Sequence, residues 1–418
     1  MISAAALPQD LIARVDGAVD ADTDRLVELF KDIHRNPELA FGEVQTSRLI
    51  EKALQNLGFD VTKGIGRTGI AATLRNGDGP VVMYRADMDA NAIEEQTGLD
   101  YASEAQVTRE DGSVVPAAHM CGHDAHVTWL IGMANAIVSV RDSWSGTAVL
   151  IGQPAEEPIT GAKAMVDDGL YNFIPRPDVL IGMHTMPAPV GTVSSSPGPR
   201  LAGTDQVDIV FRGVGGHGSR PEATTDPVQM AARAVVDFAS IVTDRVDPAQ
   251  TAVLTVGSIA AGVDNNVIPS QAVIKTNIRW YDPQVRETLL EAIRSVAERV
   301  ARDAGADDEL LPEIIMKGGS LPLVNDPELA DSMARSLASI VGDDKVLTDL
   351  PAATASEDVQ ILKGPYPNMP FNYLMVGIAD PESAPFALHT PHYIVDLAAV
   401  PYGTKIAAYA MLGLLGAS

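Results

Sequence analysis

Apolar positions along the first half of this chain follow two different periods. Residues 22–34 and 43–57 carry apolar side chains every three to four positions, which predicts amphipathic helices, the second stopped by Gly58. Runs rich in Val, Ile and Leu at 69–75, 80–86, 147–153 and 178–183 predict strands buried on both faces. Among them, 124–140 reads as a mostly buried helix with Asp124 placed to cap its first turn. Strands alternating with helices imply an α/β layer around a mixed, largely parallel sheet.

The pattern changes near 200. The stretch from Gly191 to Gly203 is rich in Ser, Pro and Gly and reads as a linker. After it come a strand (204–212), a helix (225–245), two strands (251–260 and 268–280), a helix (283–304) and a short strand (312–317). That β-α-β-β-α-β order is the ferredoxin-like pattern. It predicts a small α+β domain, 201–317, inserted into a catalytic α/β domain built from 1–200 and 318–418. The α/β style resumes from 318, with a strand at 371–378 and an apolar helix at 397–416.

Charge narrows the partners. Thirty basic against 55 acidic residues give a net charge of −25, a field that repels nucleic acid and anionic membranes. The apolar stretches at 127–140 and 406–416 are too short or interrupted to span a bilayer. The first eight residues lack the basic start and apolar core of a signal peptide, so a cytoplasmic protein is expected.

The chemistry concentrates around the single cysteine of 418 residues, in His119-Met120-Cys121-Gly122-His123-Asp124-Ala125-His126. Thiolate and imidazole both bind zinc-like metals, and side chains two apart share one side of an extended segment. Asp87, the pair Glu156-Glu157 and His184 each follow a predicted strand, where the crevice of an open α/β sheet lies. Of two adjacent carboxylates, one suits a metal while the other stays free to take a proton from water. Either His389 or His392 could ligate by chemistry alone. His217 sits among glycines that would let backbone approach a ligand closely. His34 reads as organising a helix end, and His119 and His126 as supporting partners.

Several segments then carry a resemblance. They are His34-Arg35-Asn36-Pro37-Glu38-Leu39, Arg85-Ala86-Asp87-Met88-Asp89-Ala90, Met120 to Asp124, Gln153-Pro154-Ala155-Glu156-Glu157 and Phe211 to His217. Asn266-Val267-Ile268-Pro269, Ser356-Glu357-Asp358 and Leu388-His389-Thr390-Pro391 continue it. In this order the chain resembles the dinuclear metallopeptidase family of aminoacylases and carboxypeptidases, nearest its hippurate hydrolase and indole-acetyl-amino-acid hydrolase branch. The resemblance implies two divalent metal ions (zinc, manganese, cobalt or nickel) held by Cys121, His123, Glu157, His184 and His389. It implies Glu156 as general base and acid, with Asp87 orienting a ligand. His217 would bind the developing oxyanion, and Asn266 and Arg279 would contact substrate.

The activity so implied is hydrolysis of N-acyl amino acids or related conjugates by metal-activated water, in a homodimer or higher homo-oligomer. A dipeptidase or aminopeptidase on the same centre is the nearest alternative. A Cys121 nucleophile and a non-catalytic binding protein are more distant ones. The chain departs from the branch at Glu222, Val359 and the turn Pro158-Ile159-Thr160-Gly161, which bear on specificity.

Overall fold

The computed structural model describes residues 2–109, 111–380, 382 and 386–417. They divide into two compact units, Met1–Arg200 with Val324–Pro351 and Asp358–Ser418, and Leu201–Leu323 with Ala352–Glu357. Among the described residues no helix is long and apolar enough to cross a membrane.

The first unit is an α/β layer. Its first helix runs Gln9–Arg35, starting well before the predicted 22–34, because Leu11, Ile12, Val15 and Val19 extend the same buried stripe. The next is Val44–Asn56. The helix His123–Ser139 is buried almost all round, as its unbroken apolar sequence requires. Gly122, at φ +83°, holds the N-cap position, while Asp124 serves the first turn as expected, its Oδ1 accepting the Ala125 N–H at 2.8 Å and its Oδ2 meeting His34. A Cβ at 122 would lie 2.7 Å from both Thr185 and the Tyr393 hydroxyl, so only glycine fits there.

These helices pack beside a sheet whose central strands are parallel. Val81–Asp87 lies between Trp144–Gln153 and Val179–Pro189, parallel to both, and Phe371–Ala379 continues parallel beyond the last. Gly69–Asn76 and Asp60–Ile65 extend it antiparallel on the other side. The stretch expected as a linker instead contributes Val193–Ser194, which pairs with Phe371–Ala379 and with Val346–Leu347, so sheet hydrogen bonds override its Ser-rich composition. His184 does not end its strand as the sequence suggested. The strand continues to Pro189 because it keeps its pairing with Phe371–Ala379. Sequence reading also missed Asp60–Ile65, the hairpin Gln106–Thr108/Val114–Pro116 and the helix Pro327–Val341.

Register positions the site. Asp87 pairs with Gln153, and Arg85 with Gly182, which sets His184 level with Asp87 two residues on. Three neighbouring parallel strands therefore present Asp87, the turn after Gln153, and His184 at one height.

The second unit is a four-stranded antiparallel sheet in the order Ala252–Ala261, Gln271–Trp280, Gly203–Arg212, Glu313–Ser320. That is the ferredoxin-like order. The helices Pro227–Phe238 and Pro283–Asp303 each begin with an aspartate cap, Asp226 or Asp282, followed by proline. Their apolar faces bury Phe238, Leu289 and Ile293 against Ile209, Phe211 and Ile274 of the sheet.

Candidate active site

Cys121, His123, Glu156, Glu157, His184 and His389 gather in the first unit. Cys121 Sγ lies 3.5 Å from His184 Nε2 and 3.2 Å from His389 Nε2. Glu157 Oε1 lies 3.4 Å from His389 Nε2 and 3.9 Å from His123 Nε2. Two donor triads result, Cys121–His123–His184 and Cys121–Glu157–His389, and they share the cysteine sulfur. Glu156 joins from the side, its Oε2 3.9 Å from His123 Nε2.

The hydrogen bonds around the cluster set which atoms face it. His184 Nδ1 donates to its neighbour's carbonyl, Thr185 O, at 2.7 Å, so Nε2 turns an unprotonated lone pair towards Cys121. Burial, with His126 beside it, lowers the His184 pKa to about 3 and keeps the ring neutral. His126 accepts the Thr185 N–H on Nε2 at 3.0 Å, so its proton sits on Nδ1 and is donated to Asp87. Both nitrogens of His126 are thus committed. Asp87 also takes Arg85 Nη1, whose Nε reaches Gln153 Oε1 at 2.8 Å. Asp87 is held by protein donors, with His123 Nε2 3.7 Å away.

Two buried carboxylates brace the glutamate turn, a feature the sequence reading did not single out. Asp89 Oδ1 accepts the N–H of Glu156 and Oδ2 that of Glu157, both at 3.0 Å. Glu43 Oε1 accepts the N–H of Ala155 at 2.9 Å, and its other oxygen takes the Thr68 hydroxyl. Three successive N–H groups are thereby anchored where Ala155 sits at φ +48°. The turn closes at Gly161, where a Cβ would fall 1.5 Å from Pro154 O. His389 is also bent, at φ +59°, with its N–H bonded to Met120 O at 2.8 Å. His392, the other candidate, turns away to Gln96 O at 2.9 Å.

The cluster suits metal by its own chemistry. Among the described residues both ring nitrogens of His123 and Oε1 of Glu157 are buried and make no well-formed hydrogen bond, with Asp89 3.4 Å from His123 Nδ1 and His389 3.4 Å from Glu157 Oε1. Buried polar atoms left unpaired cost about 1–3 kcal/mol each, which an ion among them would offset. His119 is similarly buried and unpartnered but belongs to neither triad. His34 ties the first helix to the site helix, with Nδ1 2.7 Å from Asp124 and Nε2 3.1 Å from Glu95.

The other expected residues lie in the second unit. His217 is on the short pair Gly216–His217/Val267–Ile268. Its Nδ1 accepts the Ser219 N–H at 3.1 Å, which leaves the proton on Nε2. Asn266 is exposed, and its carbonyl accepts the Gly218 N–H at 2.8 Å. Among the described residues Arg279 forms no ion pair. Its partners are neutral: Asn277 Oδ1, Thr354 O and Ser356 Oγ at 2.8–3.0 Å.

A mixed α/β unit that gathers side chains able to hold a metal ion, in a chain with a ferredoxin-like second unit, fits the class of metal-dependent hydrolases of amide bonds. A profile of peptidase family M20/M25/M40 matches residues 83–413, and the chain belongs to that family. It is 30% identical to thermostable carboxypeptidase 2 of Saccharolobus solfataricus over 336 residues, covering 79% of this chain and 82% of that protein. It is 35% identical to N-acetylcysteine deacetylase of Bacillus subtilis over 288 residues, covering 68% and 73%. Among solved structures, the YXEP protein of Bacillus subtilis, a dinuclear metal-binding peptidase from the M20 family, aligns with a TM-score of 0.74. The identity there is 28%, covering 94% of this chain and 99% of that one.

Proposed function

We propose that the chain hydrolyses N-acyl amino acids or closely related conjugates. Cys121, His123, Glu157, His184 and His389 would hold two divalent ions, zinc, manganese, cobalt or nickel. The observation that carries this reading is the sharing of Cys121 Sγ between two donor triads with the Glu156 carboxylate alongside. The similarity to a deacetylase of an N-acylated amino acid supports the substrate class.

Bound at this cluster, the ions would lower the pKa of a water and polarise the scissile carbonyl. Glu156 would take a proton from the attacking water and return it to the leaving nitrogen. Asp89 and Glu43 hold the backbone of the turn, so the carboxylate needs no rearrangement between the two transfers. Asp87 fixes His126 and, through it, the Thr185 segment that sets the His184 tautomer. His217 offers Nε2–H to the developing oxyanion. Asn266 and Arg279 contact the amino-acid half, with Arg279 facing its carboxylate.

The protein is proposed to be cytoplasmic and to act as a dimer. The edge strand Ala252–Ala261 carries a row of exposed residues, and an unpaired edge is a common route to association. The test of the activity is turnover of N-acetyl amino acids by metal-loaded protein. Glu156→Gln should retain its metal and lose about 10²- to 10⁴-fold in turnover. Metal-loaded Glu156→Gln turning over at the wild-type rate would refute the assignment.

A further inference from the structure

A cavity of about 990 Å³ opens beside Glu157, with walls drawn from the first unit alone. Three arginines line it: Arg35 at the end of the first helix, Arg67, and Arg109 beside the hairpin Gln106–Thr108/Val114–Pro116. In a chain of 30 basic and 55 acidic residues, that convergence runs against the overall charge. No ion pair or side-chain hydrogen bond to these three is found among the described residues. Arg286 and Arg299, by contrast, are paired with Asp205 and Asp237. The Arg67 guanidinium stacks 4.6 Å from the ring centre of Phe41, another wall residue, which steadies its plane while leaving its N–H groups uncommitted.

The two acidic groups on the wall, Glu38 and Glu157, are turned to partners other than the three arginines. Glu38 accepts from the Gln45 and Thr46 N–H groups and the Thr46 hydroxyl, so it is spent on starting the helix Val44–Asn56. Glu157 lies against His123 and His389. Asp111 interacts with Arg109 through space, and the wall sets three arginines against Glu38 and Glu157 beside the proposed centre.

We infer that this cavity takes the acyl half of the substrate and selects acyl groups that end in a carboxylate. The inference rests on the amidohydrolase reading, in which Arg279 already serves the carboxylate of the amino-acid half. Three further cations are therefore surplus to a substrate with one carboxylate and match a substrate with two. A pocket of this size accommodates such a molecule without strain.

The experiment compares an N-glutaryl amino acid with its N-pentanoyl analogue, which has the same number of acyl carbons but no terminal charge. At low ionic strength, kcat/KM for the glutaryl substrate should be higher by about tenfold or more, and the ratio should shrink as salt is added. Arg67→Ala combined with Arg109→Ala should bring the ratio near one, and the corresponding double lysine variant should restore part of it. No preference in the wild type overturns the inference, as does a ratio that survives the double alanine change. So does a variant that instead loses discrimination between the acid and the amide of the leaving amino acid, since the cavity would then hold that carboxylate. Failure to cleave either substrate, or N-acetyl amino acids, would sink the hydrolase reading itself and is distinguishable from these outcomes.

Discussion

Replacing Asp89 by asparagine tests how the glutamate turn is held. Each carboxylate oxygen accepts one backbone N–H at 3.0 Å, from Glu156 and from Glu157, in a site with no solvent exposure. Asparagine keeps the shape and one acceptor but sets an NH2 group against the second N–H. One buried donor is then unsatisfied, at about 1–3 kcal/mol, and two donors are pushed together. The carboxylate also faces His123 Nδ1 at 3.4 Å, so the substitution loosens a proposed ligand as well. Partners that orient metal ligands in this way are typically worth about 10- to 100-fold in activity or metal affinity. Asp89→Asn should therefore lower kcat by that factor at saturating metal and reduce Tm by a few degrees. Turnover, metal content and calorimetric Tm on one preparation provide the reading. A destabilised variant with wild-type kcat would mean that the turn keeps its geometry without Asp89, and the reasoning would be wrong.

Elemental analysis of Cys121→Ala should find less metal than in the wild type at both proposed positions, because its sulfur belongs to both triads; full occupancy would remove the shared-sulfur assignment. Gly161→Ala should be severely destabilised, since its Cβ would fall 1.5 Å from Pro154 O. Gly17→Ala, with nothing within 4 Å, should gain up to about 1 kcal/mol by helix propensity, and chemical denaturation compares the two. His34 is raised from 6.5 to about 9: burial opposes the shift, but hydrogen bonds to Asp124 and Glu95 outweigh it. Its contribution, on the order of 3 kcal/mol, is present below pH 6.5 and lost as pH rises through about 9. His34→Gln should flatten that alkaline fall in Tm, and an unchanged slope would argue against a charged His34. Light scattering should return a dimer mass, and a monomer at working concentration would refute the proposed association.

What the sequence determined by itself was local or periodic. Buried parallel strands need continuous apolar runs, and helices need a stripe, so the α/β layer and the β-α-β-β-α-β segment were readable from pattern. Cys121 and His123 stand two apart, and Glu156 follows a strand, so their chemistry was also visible in one dimension. Element ends were less legible, because tertiary contacts set them. The first helix grew towards its N-terminus to bury Leu11 and Val15, and Val193–Ser194 became sheet because a neighbouring strand offered hydrogen bonds. Only the tertiary structure decided which atoms face the cluster. His389 and His392 are chemically equal in sequence, yet a bent backbone at His389 turns its ring towards Cys121 while His392 bonds Gln96. Asp89 and Glu43 carry no motif that announces their task, since a carboxylate bracing backbone N–H groups 67 and 112 residues away leaves no periodic trace. The same holds for Arg35, Arg67 and Arg109, which look like ordinary surface cations until folding brings them around one cavity. Hydrogen-bond direction and charge convergence depend on distances through space, and sequence spacing does not encode those.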